Sequence, residues 1–135
     1  MSRLSTQDRE RLLASARDIL RRAYAPYSGF KVGAAILTDE GKIFTGCNVE
    51  NASYGLTICA ERSAIFSAVI NSAIKPTLRA VAVVNEQEVP CSPCGACRQV
   101  ISEFGLETVV IFKSERGYEE LTISELLPSS FRLET

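Results

Sequence analysis

Arg79-Ala80-Val81-Ala82-Val83-Val84-Asn85 is the stretch whose reading decides the fold. It is a continuous apolar run rather than an alternating one, the pattern of a strand covered on both faces. Such a strand needs helices above and below it, so an α/β class is expected. Helix-like segments flank it, at about residues 59–71 before it and 94–104 after it. Further upstream, residues 31–38 and 42–49 read as two strands joined by Asp39-Glu40-Gly41, a hairpin with a glycine-containing turn. A helix over about residues 6–23 precedes them, with Leu12, Leu13, Ala16, Ile19, Leu20, Ala23 and Tyr24 along one stripe. Ser5 or Thr6 can cap that helix, and Pro26 stops it by disfavouring helix at Ala25. Residues 50–57 read as a loop, 107–113 as a strand, 118–121 as a weaker strand, and 123–127 as a short helix ended by Pro128. The order implies a sheet of about five strands with helices on both faces.

The bulk numbers bound the function. At 135 residues the chain has the size of one domain, with room for a core. A hydrophobic fraction of 46% with 23% charged residues is globular composition rather than that of a disordered chain. A net charge of −1 argues against a nucleic acid polymer as partner, because phosphate binding relies on clustered Lys and Arg. No stretch approaches the ~18 consecutive apolar residues of a membrane span. The first ten residues, Met1 to Glu10, are too polar for a signal peptide. Five cysteines are an odd number for a disulfide framework, and thiolate ligands last best in a reducing compartment, so a cytoplasmic location is expected.

Three of those cysteines form a pattern. Cys59-Ala60-Glu61 opens the first flanking helix, and Pro93-Cys94-Gly95-Ala96-Cys97 opens the second. A Cys-x-x-Cys turn lets two thiolates converge on one ion, and Cys59 brings a third from elsewhere. Zinc favours such soft ligands in a tetrahedral array, and a catalytic zinc keeps one position for water. Unpaired N–H groups and the positive end of the dipole favour thiolates at helix starts. Glu61 then lies beside the open position as a general acid and base. Three thiolates and Zn²⁺ sum to −1, so Arg62 gains a purpose as a donor to the sulfurs. The alternatives are a closed structural zinc site with Cys91 as fourth ligand, and Arg62 in an ordinary surface ion pair. A closed site leaves Glu61 without a role.

These residues, with several further blocks, resemble the small, homotetrameric cytidine deaminases. The blocks are Tyr27-Ser28-Gly29-Phe30-Lys31-Val32-Gly33-Ala34-Ala35, Gly46-Cys47-Asn48-Val49-Glu50-Asn51-Ala52, Cys59-Ala60-Glu61-Arg62, Ser92-Pro93-Cys94-Gly95-Ala96-Cys97-Arg98-Gln99 and Glu125-Leu126-Leu127-Pro128-Ser129-Ser130-Phe131. Together they span nearly the whole chain. The resemblance implies a three-layer α-β-α fold with a mixed five-stranded sheet and a single deaminase domain over residues 1–135. It implies one zinc per subunit on Cys59, Cys94 and Cys97, with Glu61 as proton shuttle. The reaction would be hydrolytic deamination of cytidine and deoxycytidine to uridine and deoxyuridine with release of ammonia, a step of pyrimidine salvage.

The same resemblance implies the substrate contacts. Asn48 and Glu50 match the pair that hydrogen-bonds the ribose hydroxyl, Phe30 the aromatic that packs on the pyrimidine, and Ala60 the residue whose backbone meets the base. Tyr54 and Phe131 match positions that reach a neighbouring subunit's site, so each pocket of the homotetramer would be shared. Read without the family, Asn48 caps a turn, Glu50 is solvated and Phe30 is core. Cys47 is expected as a small buried residue and Cys91 as a loop residue. Competing readings are an antibiotic deaminase of the blasticidin type, a polynucleotide-base deaminase, and a zinc-stabilised domain without activity.

Overall fold

The computed structural model describes residues 4–133. Residues 1–3 and 134–135, at the two ends of the expected domain, lie outside the described residues. The apolar run forms β3, Leu78–Asn85, in which every residue except Arg79 is buried. It occupies the middle of a five-stranded sheet ordered β2-β1-β3-β4-β5. β1, Val32–Thr38, pairs antiparallel with both β2, Ile43–Cys47, and β3. β4, Val109–Ser114, runs parallel to β3, and β5, Gly117–Thr122, returns antiparallel to β4. The sheet is therefore mixed, as expected.

The helices divide between its faces. α1, Thr6–Leu20, buries Leu12, Leu13 and Ala16 against Ala35, Leu37, Ala80, Ala82 and Val84. α2, Ala60–Ile70, α3, Gly95–Ser102, and α4, Ile123–Leu126, cover the opposite face. There Ala64, Ile65, Ala68, Ile101 and Ile123 meet Ile36, Val81, Val83 and Val110. Alternate residues of β3 thus feed two apolar clusters, which is why its sequence does not alternate.

Several element ends differ from the sequence reading, each for a local reason. α1 stops at Leu20 rather than residue 23, because Tyr24 pairs with the segment after β2: its N–H reaches the Asn48 carbonyl at 2.9 Å and its carbonyl takes the Glu50 N–H at 2.8 Å. Tyr24 is accordingly exposed and not part of the buried stripe. Ser5 is the cap, accepting from the Asp8 N–H at 3.0 Å. β2 ends at Cys47 rather than residue 49, since Val49 makes isolated bridges with Tyr24 and Ile58. The loop after it contains one short 3₁₀ turn, Tyr54–Leu56. At Asp39-Glu40-Gly41 the hairpin turns with Gly41 at φ +85°, a conformation glycine adopts without a Cβ clash.

Both helical layers sit on glycine. A Cβ built on Gly33 of β1 would lie 2.2 Å from the Ala16 carbonyl oxygen of α1, and one on Gly46 of β2 would lie 2.3 Å from the Ala64 nitrogen of α2. Backbone cannot yield as a side chain tip does, so these glycines set the distance between sheet and helices. Gly46→Ala should lower the unfolding free energy by about 2 kcal/mol or more, as overpacking does. Gly55→Ala, which meets open space, should change it by less than about 0.5 kcal/mol. Urea denaturation of both variants measures the contrast; equal stabilities would show that α2 can ride away from the sheet.

Candidate active site

The start of β1 and the ends of β2 and β3 meet at one edge of the sheet, where Val32 pairs with Asn85 and Gly33 with Cys47. α2 and α3 both begin beside that edge. Cys59 is the N-cap residue of α2 and Cys94 that of α3, both in extended backbone conformation, and Cys97 is buried in the first turn of α3. The sulfurs of Cys59, Cys94 and Cys97 lie within 4.8 Å of one another. Cys91 is outside this group. Its N–H bonds the Lys113 carbonyl at 2.9 Å, which holds the Cys91 segment beside β4.

The donor set fits a thiophilic metal ion. A hydrogen bond from the Cys97 thiol, helped by the Arg62 guanidinium, brings the Cys59 thiol down to about 5 despite its burial. The same contact with Cys59, together with burial, pushes Cys97 upward. Three crowded sulfurs therefore resist joint ionisation until a cation joins them. Soft sulfur ligands from two helix starts suit tetrahedral zinc. Arg62 Nη2 stands 3.2 Å from the Cys59 sulfur, and that contact raises the guanidinium pKa further. Arg62 thus faces the cluster, not a surface carboxylate.

A cleft of about 290 Å³ opens over the cluster, lined by Phe30, Asn48, Glu50, Cys59, Ala60, Glu61 and Cys94 among others. Glu61 is only 5% exposed. Burial, reinforced by the Cys59 thiolate, raises its carboxyl to about 7. Phe30 stands on the cleft wall, not in the core. Asn48 clamps the strand start, its Oδ1 accepting from the Val32 N–H at 2.9 Å and its Nδ2 donating to the Phe30 carbonyl at 2.8 Å. Glu50 accepts from the Tyr27 N–H at 2.9 Å, the Ser28 N–H at 3.1 Å and the Ser28 hydroxyl, and these bonds hold its carboxyl below the ordinary range. So Glu50 is solvent-facing without being a free surface charge.

Two sequence-derived residues are not brought to the cleft. Tyr54 is 76% exposed and packs edge-on against Tyr27, with ring centroids 6.3 Å apart, in an adjoining cavity of about 410 Å³. Phe131 is 67% exposed, its carbonyl held by Gln99 Nε2 at 3.0 Å. Conversely, Ser28, Thr57 and Ser92 line the cleft although the sequence reading gave them no site role, and Cys91, considered only as fourth ligand of a closed site, lines it as well. For Ser28 the turn chemistry of Tyr27-Ser28-Gly29 was the available signal. Cys47 is partly rather than fully buried.

A family model described as the cytidine and deoxycytidylate deaminase zinc-binding region matches residues 6–113. A cytidine deaminase of Sporosarcina psychrophila is 46% identical over 129 residues, 94% of this chain and 93% of that protein. The crystal structure of cytidine deaminase from Burkholderia pseudomallei superposes with a TM-score of 0.83 at 45% identity, covering 95% of this chain and 100% of that one. A blasticidin-S deaminase of Bacillus cereus is 36% identical over 106 residues, 74% of this chain and 76% of that protein. With its three-sulfur cluster placed to bind the metal of such a region, the chain belongs to the zinc-binding cytidine and deoxycytidylate deaminase family.

Proposed function

We propose that this protein is a zinc-dependent cytidine deaminase, converting cytidine and deoxycytidine with water to uridine and deoxyuridine and releasing ammonia, in pyrimidine salvage. The observation that carries the reading is a buried carboxyl group, Glu61, in a cleft wall beside three converging cysteine sulfurs. Zinc bound by Cys59, Cys94 and Cys97 supplies the Lewis acidity that makes water nucleophilic near neutral pH. Glu61 accepts a proton from the attacking water, delivers it to N3 of the cytosine ring, and later serves the departing amine. A carboxyl raised above its ordinary range by burial suits a group that must both take and give a proton. Arg62 offsets the charge of the thiolates, Phe30 packs on the ring, and the Ala60 backbone meets the base.

Hydrogen-bonding capacity supports the sugar contact. After its two backbone bonds Asn48 retains one N–H, and after its three bonds Glu50 retains a lone pair on Oε2. One donor beside one acceptor is the complement of a ribose hydroxyl. Among the described residues of one subunit, no Lys or Arg lines the cleft or the cavity beside it, which favours a neutral nucleoside over a nucleotide. Higher identity to the cytidine deaminase than to the blasticidin-S deaminase favours cytidine over the antibiotic.

Residues 1–135 form a single deaminase domain in this reading, supported by one sheet that serves both apolar clusters. The subunits form a homotetramer with point-group symmetry, in which Tyr54 and Phe131 complete a neighbour's pocket. What supports this is their exposure, together with that of Phe66, Val69 and Ile70 on α2, a face too apolar for water. Among the described residues no helix is long and apolar enough to cross a membrane. Cytoplasmic residence is supported by the reduced sulfur that the cluster needs.

Three measurements test the reading. Loss of cytosine absorbance on incubation with cytidine should be seen for the parent chain and fall by at least about 100-fold in Glu61→Gln, with zinc retained; activity within about tenfold of the parent would remove Glu61 as the shuttle. Elemental analysis should show zinc lost from Cys59→Ala, Cys94→Ala and Cys97→Ala but near one per chain in Cys91→Ala. Release from Cys91→Ala as well would make the site a closed four-thiolate one. Finally, mixing inactive Glu61→Gln subunits with subunits truncated before Phe131 should restore activity within mixed tetramers, whereas proven mixed assembly without recovery would mean that each subunit closes its own pocket.

A further inference from the structure

Ser28 lines both the sulfur-bearing cleft and the cavity beside it, and it takes no part in the proton transfers of the proposed reaction. Its hydroxyl sits between two groups that do have parts in that mechanism. It donates to Oε2 of Glu50, and it accepts from the Phe30 N–H at 2.9 Å. The two N–H groups of Tyr27 and Ser28 both go to the other carboxylate oxygen, Oε1. Gly29, at φ +68°, lets the chain fold back so that this turn wraps around one carboxylate.

The bonding fixes directions as well as distances. A hydroxyl has one proton; with the Phe30 N–H arriving as a donor, the Ser28 proton has Glu50 as its acceptor. Bonds to Oε1 alone would leave the carboxylate free to swing about that oxygen. The bond to Oε2 fixes its plane, and so aims the lone pair left over for a ligand. The Ser28 hydroxyl oxygen also accepts from the backbone N–H of Phe30, whose ring forms the neighbouring wall.

We propose that Ser28 is a positioning residue whose single hydroxyl, its proton directed to Glu50 by the arriving Phe30 N–H, sets the carboxylate plane of Glu50 and thereby the preference for a nucleoside bearing sugar hydroxyls. This rests on the reading of Glu50 as acceptor for a ribose hydroxyl. A charge-assisted bond aligned in this way is strong enough to matter for selectivity, and its loss falls on binding rather than on proton transfer at Glu61.

The test compares kcat/KM of the zinc-loaded enzyme for cytidine and for 2′,3′-dideoxycytidine, which lacks both ring hydroxyls. Ser28→Ala should lower that ratio about tenfold, through a raised KM for cytidine with kcat within about twofold, in keeping with a lost bond to a charged group. Ser28→Thr, which keeps the hydroxyl, should hold the ratio within about threefold of the parent. Ser28→Cys, nearly isosteric with a weak donor, should lower the ratio, and it decides the matter if the alanine variant does not fold. Glu50→Gln tests the underlying reading: it should collapse the ratio, and an unchanged ratio would overturn the sugar role of Glu50 and the proposal with it. A collapse in Glu50→Gln, with Ser28→Ala slowing both substrates equally, would overturn the role of Ser28 alone.

Discussion

Bringing three sulfur atoms within 4.8 Å of one another requires two helix starts, more than thirty residues apart in sequence, to arrive at one edge of the sheet. Nothing local achieves that. The position of Cys59 depends on α2 lying flat on β2 at Gly46, and that of Cys94 and Cys97 on α3 following β3 out of the sheet. The apolar clusters therefore do more than stabilise the fold: they hold together ligands whose own interaction is repulsive once they ionise.

That repulsion shapes the surroundings. Arg62 reaches back from the first turn of α2 to the Cys59 sulfur, so the segment that supplies a ligand also supplies its compensating charge. Glu61, between them in sequence, emerges into the cleft and is kept from ionising easily by burial and by the Cys59 thiolate. Consecutive helical residues point about 100° apart, which lets Cys59, Glu61 and Arg62 serve three separate purposes within one turn.

The legible parts of this architecture were those with a period or a spacing. β3 was legible because a strand covered twice cannot alternate, and the ligand set because Cys-x-x-Cys with a distant Cys-Ala-Glu is a long pattern. Element ends were less so. Tyr24 fits the helical stripe of α1 by spacing, yet its backbone is recruited by the chain near Asn48 and Glu50, a long-range pairing that no local pattern announces. For Asn48 and Glu50 the two readings turned out not to exclude each other: both brace a turn with part of their bonding capacity and keep the remainder facing the cleft. Tyr54 and Phe131 stand exposed and away from the cleft of their own chain, and no period or spacing distinguishes such residues from ordinary surface ones.

The doubly employed pair, Asn48 and Glu50, has a thermodynamic consequence. A flexible glutamate recruited at the moment of binding surrenders rotamer freedom then, at a cost of roughly 0.5–1.5 kcal/mol per immobilised side chain. Here the backbone of residues 27–32 has already immobilised both side chains. The entropy is lost once, during folding, and is shared with the cooperative transition of the whole chain. In the proposed sugar contact a nucleoside would meet side chains already held in place, so that its small hydroxyl contact would count almost in full toward affinity.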